Sequence, residues 1–166
     1  MHWQWCRMKR MAKNQFWLFK SEPDVYSIDD LKKEKKCYWE GVRNYQARNL
    51  LRDTIKKGDQ VFFYHSNATP PGIVGVAEVA KEGYPDHTQF DENSKYYDPK
   101  SKKDEPRWMM VDVKFVEKFK NLVSLDQLKN TPGLEEMMVT KRGARLSIQP
   151  VTADEWKIVM KLAKKG

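Results

Sequence analysis

The sequence predicts an α+β fold, a mixed and largely antiparallel β-barrel with short helices around it. Three observations point there. Strand-like runs outnumber helix-like runs and follow one another, without the repeated strand–helix–strand rhythm of a parallel doubly wound sheet. The helical patterns are short and lie early and late in the chain. The 166 residues, 40% of them hydrophobic, suit one domain with a sizeable core, and no internal repeat is visible.

Phe16 to Lys20 is a short apolar run rich in β-favouring aromatics, and Pro23 stops it. Ser27, three residues before Asp30, signals the start of a helix running to about Lys36. Trp39 to Arg43 reads as a loop. Asn44 can cap a second helix, with Ala47, Leu50 and Leu51 on one face and Asn44, Arg48 and Arg52 on the opposite stripe. Gly58-Asp59 opens a strand from Gln60 to His65, and Pro70-Pro71-Gly72 turns into another from Ile73 to Lys81. Gly75 inside that strand signals a bend or the close approach of another backbone. Residues 83 to 107 form a long polar loop, a length that usually carries function. Trp108 to Phe119 alternates as a strand, Ser124 caps a short helix to about Lys129, and a further helical turn follows Gly133. Arg145 to Gln149 is a last strand, stopped by Pro150. Thr152 and Glu155 form a capping box for a final helix with Trp156, Val159, Met160 and Ala163 toward the core.

The net charge of +8 and the pI near 9.4 favour a polyanionic partner over small acidic or neutral substrates. Much of the excess is terminal, at Arg7, Lys9, Arg10 and Lys13 and at Lys157, Lys161, Lys164 and Lys165, where solvated tails look the same. Cys6 and Cys37 have no metal-ligand spacing, and His2, His65 and His87 are scattered, so neither a metal nor another cofactor is expected. No apolar run reaches membrane-spanning length, and a reduced setting is expected, cytoplasmic or, in a eukaryote, nuclear. Residues 1–13 read as a disordered basic extension, and 14–166 as a single domain.

Motifs for phosphate-cradling glycine loops, nucleophile elbows and paired cysteines are absent. Polar–aromatic clusters stand beside strand ends instead: FWLFKSEP (16–23), WEGVRNYQARN (39–49), FFYHSN (62–67), YYDPKS (96–101), EPRW (105–108) and RLSIQPV (145–151). Together and in this order they resemble the EVE domain family over about Phe16 to Leu162. The resemblance implies a PUA-like pseudobarrel, shared with YTH, ASCH and SRA modules. It also implies binding of DNA or RNA through a modified base, a modified cytosine or adenine, held in a pocket without chemistry.

An extruded base needs a flat wall for its face and hydrogen-bonding groups for its edge. Trp17, Trp39, Tyr64, Tyr96 and Tyr97 are candidate walls. Lys20, Ser21, Asn44, His65 and Ser66 are candidate edge contacts, an Asn amide offering donor and acceptor side by side. Arg43, Arg48 and Arg52 are candidate phosphate ligands near the start of the helix that Asn44 caps. Each has a plainer alternative. Asn44 can be a cap alone, Trp17 a core residue, His65 a structural histidine, and Tyr96 and Tyr97 can divide packing from exposure. Two other functions stay open. One is a PUA-like enzyme acting on RNA or nucleotides, with Lys20, Tyr64 or His65 as nucleophile or base. The other is an RNA-binding accessory module held by charge alone. If residues 1–13 pack on nothing, deleting them leaves the melting temperature unchanged; a loss of several degrees in a thermal scan contradicts that.

Overall fold

The computed structural model describes residues 14–165; the extension expected over 1–13 lies outside them. The elements are β1 (Phe16–Ser21), α1 (Ile28–Glu34), β2 (Lys36–Tyr38), α2 (Tyr45–Asn49) continued by a π-helical turn (Leu50–Thr54), β3 (Gln60–His65) and β4 (Gly72–Pro85). A 3-10 turn (His87–Phe90), β5 (Met109–Ser124), α3 (Leu125–Lys129), a second 3-10 turn (Met138–Thr140), β6 (Ile148–Val151) and α4 (Ala153–Lys165) follow. The strands form one mixed sheet in the order β2-β5-β4-β3-β1-β6, with only β1 and β3 parallel.

The sheet is open, which corrects the expected barrel. Its edges are the three-residue β2 and the four-residue β6, and each pairs on one side only. Closure is unnecessary because both faces are covered. Trp17, Phe19, Val61 and Phe63 pack with Ile28 and Leu31 of α1 and with Ala47 and Leu51 from the α2 segment. Leu18, Phe62 and Tyr64, on the other face, pack with Leu128, Leu134 and Val159 around α3 and α4. The continuous apolar runs of β1 and β3 are the signature of strands buried on two sides. Trp17 and Leu18 are therefore both core, although they point to opposite faces.

Register shifts bend the long β4–β5 pair between Ile73 and Gly75 and again farther along. At Gly75 a Cβ would lie 2.3 Å from the Glu117 carbonyl oxygen, so the close backbone approach read from the sequence is real. α1 ends before Lys35, which has φ of 72°, and the chain then enters β2, a strand too short and exposed to show alternation. β6 begins and ends later than expected and includes Pro150. An edge strand tolerates proline where the missing N–H faces outward. The capping boxes at Ser27/Asp30 and Ser124/Gln127 are formed, and Thr152 and Glu155 exchange side-chain-to-backbone hydrogen bonds at the start of α4.

Two side chains, the buried Asp59 and the half-buried His65, lock β1 and α1 in place. Asp59 accepts from Trp17 Nε1 (2.9 Å), the Gln15 amide (3.1 Å) and the Lys56 amide (2.9 Å), so the indole polar edge and two loop N–H groups are satisfied at one carboxylate. His65, the last residue of β3, accepts the Ile28 N–H on Nε2 at 3.1 Å, closing the first turn of α1. That bond requires the neutral ring. Burial pushes the His65 pKa down, with Lys118 adding to the shift and Asp29 opposing it. The folded state thus binds this proton less readily than the unfolded chain. The stability His65 contributes is present above its ordinary pKa of about 6.5 and is lost as the pH falls below that value toward the depressed one. His65→Gln should flatten the loss of melting temperature between about pH 7 and 5. An unchanged acid limb in the variant would assign it to other groups.

Candidate functional site

A cleft of about 760 Å³ opens where the C-terminal end of β1 meets β2, the loop into α2 and the long loop between β4 and β5. Lys20, Ser21, Trp39, Arg43 and Asn44, expected from the sequence, all line it. Tyr26, Cys37, Tyr38, Glu40, Gly41, Val42, Tyr96 and Ser147 complete much of the wall.

The floor is apolar. Trp39 is 9% exposed, with its ring against Phe19 (centroids 5.3 Å apart) and edge-on to Phe63 (5.5 Å). Val42 is buried beside it. The polar groups differ in how far protein partners already use them. Ser21 Oγ donates to the Tyr26 carbonyl at 2.6 Å, which leaves its oxygen able to accept. Lys20 Nζ donates to the Ala144 carbonyl at 3.1 Å and has two further N–H groups. Asn44 Oδ1 accepts the Ala47 N–H as helix cap, while its Nδ2 has no hydrogen-bond partner among the described residues. Tyr26 donates its hydroxyl to Glu34 Oε2 at 2.8 Å.

The electrostatics of the lining have one direction. Burial lowers the pKa of Lys20. Burial raises that of Tyr26, helped by Cys37 and Glu34, and pushes the Cys37 thiol up to about 11. Burial and then the nearby Asp86 raise Glu40. All four move toward their uncharged forms, as expected of a partly desolvated cavity.

Arg43 is committed to the scaffold. Its guanidinium makes hydrogen bonds to the carbonyls of Val42 and Tyr96, to Asp86 Oδ2 (3.0 Å) and to Thr88 Oγ1 (3.1 Å). Asp86 is fully buried and also accepts the N–H groups of Gly41 (2.8 Å) and Thr88 (2.8 Å). Burial pushes the Asp86 carboxyl up, but hydrogen bonds from Thr88, Gly41 and Arg43 outweigh it and leave the carboxyl below its usual range. Gly41, at φ of 83°, lies under the Tyr96 ring, where a Cβ would come within 2.5 Å of it. Tyr96 is therefore the loop aromatic in the cleft wall, and Tyr97 is the exposed neighbour that does not line it.

The remaining candidates lie elsewhere. Trp17 and Tyr64 are core residues, His65 caps α1, and Ser66 donates its N–H to the Ser21 carbonyl without lining the cleft. Arg48 and Arg52 lie outside the cleft lining. Arg48 Nη1 donates to the Arg107 carbonyl at 2.7 Å, and Arg52 pairs with Asp53 at 2.8 Å on the surface. Asp86 gave no sequence signal, because its role depends on partners 43 and 45 positions away. Among the described residues no group of three or more His, Cys, Asp or Glu could hold a metal ion, and no helix is long and apolar enough to cross a membrane.

Comparison with known proteins places this geometry in a family. The EVE domain matches residues 15–162. The chain is 47% identical to human thymocyte nuclear protein 1 over 177 aligned positions, which take in 95% of this chain and 78% of that protein. Among solved structures, a hypothetical protein from Leishmania major superposes with a TM-score of 0.87 at 44% identity, covering 93% of this chain and 97% of that one. Human THYN1 protein in complex with 5-methylcytosine-containing DNA superposes with a TM-score of 0.85 at 46% identity, covering 92% and 99%. The open six-stranded sheet and its short helices are thus the PUA-like EVE fold, and this chain belongs to the EVE domain family.

Proposed function

We propose that the protein is a nucleic-acid-binding module that reads a modified pyrimidine, 5-methylcytosine or a close relative, extruded from DNA into the cleft. The observation that carries this reading is the cleft's combination of an aromatic floor with neutral-leaning polar walls. A cavity that shifts Lys20, Tyr26, Cys37 and Glu40 toward their uncharged forms disfavours a phosphate and suits an uncharged heterocycle. The 5-methylcytosine-containing DNA bound by human THYN1 supports the same class of ligand. Ser21 can accept from an exocyclic amine, and Lys20 and Asn44 can donate to a ring nitrogen and carbonyl oxygen. A methyl group on the ring meets Trp39 and Val42 rather than water.

Binding without chemistry is the reading the side chains favour. Of the three candidate nucleophiles or bases, Tyr64 is buried in the core and His65 is spent on a backbone N–H outside the cleft. Lys20 lies in the cleft, where its Nζ donates to the Ala144 carbonyl and makes no hydrogen bond to a side chain among the described residues. Arg48 and Arg52, on the outer stripe beyond Asn44, serve the flanking phosphates, while Arg43 holds the wall.

The direct test is competition between otherwise identical oligonucleotides with 5-methylcytosine or cytosine at fixed salt, in DNA and RNA; equal affinity for all would sink the reading. Asn44→Asp keeps the capping oxygen, so its melting temperature should stay near wild type. It replaces the cleft amide with a second carboxylate oxygen. Its affinity for the modified oligonucleotide should fall about 5- to 150-fold, from roughly 1–3 kcal/mol of lost hydrogen bonding, with the preference over cytosine kept, because both bases present the same ring nitrogen and carbonyl oxygen. Arg48→Ala and Arg52→Ala should each weaken modified and unmodified oligonucleotides by similar factors and make the salt slope shallower by about one. A change in preference in either arginine variant would contradict the phosphate assignment.

A further inference from the structure

The rim of the cleft carries aromatic surface that the pocket itself does not use. Tyr45, the first residue of α2, is 53% exposed. Its ring stacks on Trp108, with centroids 4.9 Å apart and planes 27° from parallel. The Arg43 guanidinium lies 5.3 Å from the Trp108 ring centre and 5.4 Å from that of Tyr96. The Arg48 guanidinium lies 5.0 Å from the Tyr45 ring. A column of cations and rings, with Trp108 and Tyr45 stacked directly at its middle, therefore runs from the cleft wall, at Tyr96 and Arg43, out to solvent at Tyr45 and Arg48.

The inner part of this column is rigid. Trp108 Nε1 donates to Asp98 at 2.7 Å, its backbone N–H donates to the buried Gln89 at 3.0 Å, and Arg43 is held by Asp86. The outer ring is backed but open, and the Tyr45 hydroxyl makes no hydrogen bond among the described residues. Such a ring offers stacking area at little entropic cost. Arg48 beside it is bonded to the Arg107 carbonyl and to Asn49, not to a carboxylate, so positive charge remains at the open end.

We propose that Tyr45 is the stacking seat for the base adjacent to the extruded one. This rests on the base-extrusion reading above and extends it beyond the pocket. Extruding a nucleotide unstacks its neighbours and exposes their faces. A ring continuous with the cleft wall, next to a guanidinium that no carboxylate neutralises, matches an exposed base face with its phosphate alongside. The contact is indifferent to base identity, because every base has a π-face. It supplies affinity for an opened strand and leaves discrimination to the cleft.

The test is a double-mutant cycle between residue 45 and the oligonucleotide. The probe is DNA with one 5-methylcytosine, either intact or with an abasic residue on its 5′ or its 3′ side. Tyr45→Ala should weaken binding of the intact probe about 5- to 150-fold, while Tyr45→Phe stays within about twofold. With the abasic residue on the stacking side, wild type and Tyr45→Ala should bind alike. Both variants should keep the wild-type melting temperature and the preference for 5-methylcytosine over cytosine. A Tyr45→Ala protein that binds the intact probe like wild type overturns the proposal. So does one that loses the same factor with either abasic probe. A wild-type protein with no preference for 5-methylcytosine overturns the base-reading function instead, an outcome the residue-45 cycle does not imitate.

Discussion

The Asp86 carboxylate, wholly buried, ties its own segment to the loop from Gly41 to Arg43. It receives the Gly41 amide, the Arg43 guanidinium, and the amide and hydroxyl of Thr88. Arg43 passes the tie onward to the Tyr96 carbonyl. Removing any one partner would leave a buried charge or dipole unsatisfied, at a cost well above that of an ordinary surface bond. The loop from Trp39 to Asn44 and the loop from Asp86 to Trp108 have little repetitive structure of their own. They hold a defined shape because they close on this carboxylate and on Gln89, whose amide joins the carbonyls of Asp86 and Trp108. The cleft wall and the outer aromatic column both depend on that arrangement.

The same arrangement sorts the basic residues. An arginine with its donors spent inside the protein cannot also grip a phosphate, so charge at the cleft wall serves architecture. Charge farther out, at Arg48 and Arg52 on α2 and its π-helical continuation, lies outside the cleft lining, bonded to the Arg107 carbonyl and to Asp53. Inside the cleft, desolvation acts against charge on lysine, tyrosine, cysteine and glutamate alike. A cleft of this kind suits a ligand chosen by shape and by neutral hydrogen bonds, while the net charge of +8 lies mostly outside it.

The sheet supports the cleft by being buried on both sides. The parallel pair of β1 and β3 runs through the middle of the molecule, with α1 and the α2 segment on one face and α3 and α4 on the other. β1 therefore ends at a fixed place, delivering Lys20 and Ser21 to the cleft. His65, at the matching end of β3, is turned to the start of α1. Residues at equivalent ends of paired strands thus take different roles, one set opening to the cavity and the other closing a helix.

Much of this was legible in the sequence, wherever neighbours along the chain decide the outcome. The bounds of β3 and the caps at Ser27, Asn44, Ser124 and Thr152 follow from local hydrogen bonding and sterics, and the glycine at position 75 marked a close approach whose partner, Glu117, lies on β5. The ordered polar–aromatic clusters marked the family and six candidate residues that line the cleft, namely Lys20, Ser21, Trp39, Arg43, Asn44 and Tyr96. Tertiary structure alone decided the rest. Whether Trp17 and Tyr64 are walls or core depends on how many faces of the sheet are covered, and helices far along the chain provide that cover. Whether Arg43 binds outward or inward depends on Asp86, and whether Tyr96 or Tyr97 enters the wall depends on the space above Gly41. Composition shows which side chains can donate, accept or stack. Only three-dimensional packing shows which of those capacities the protein has already spent on itself.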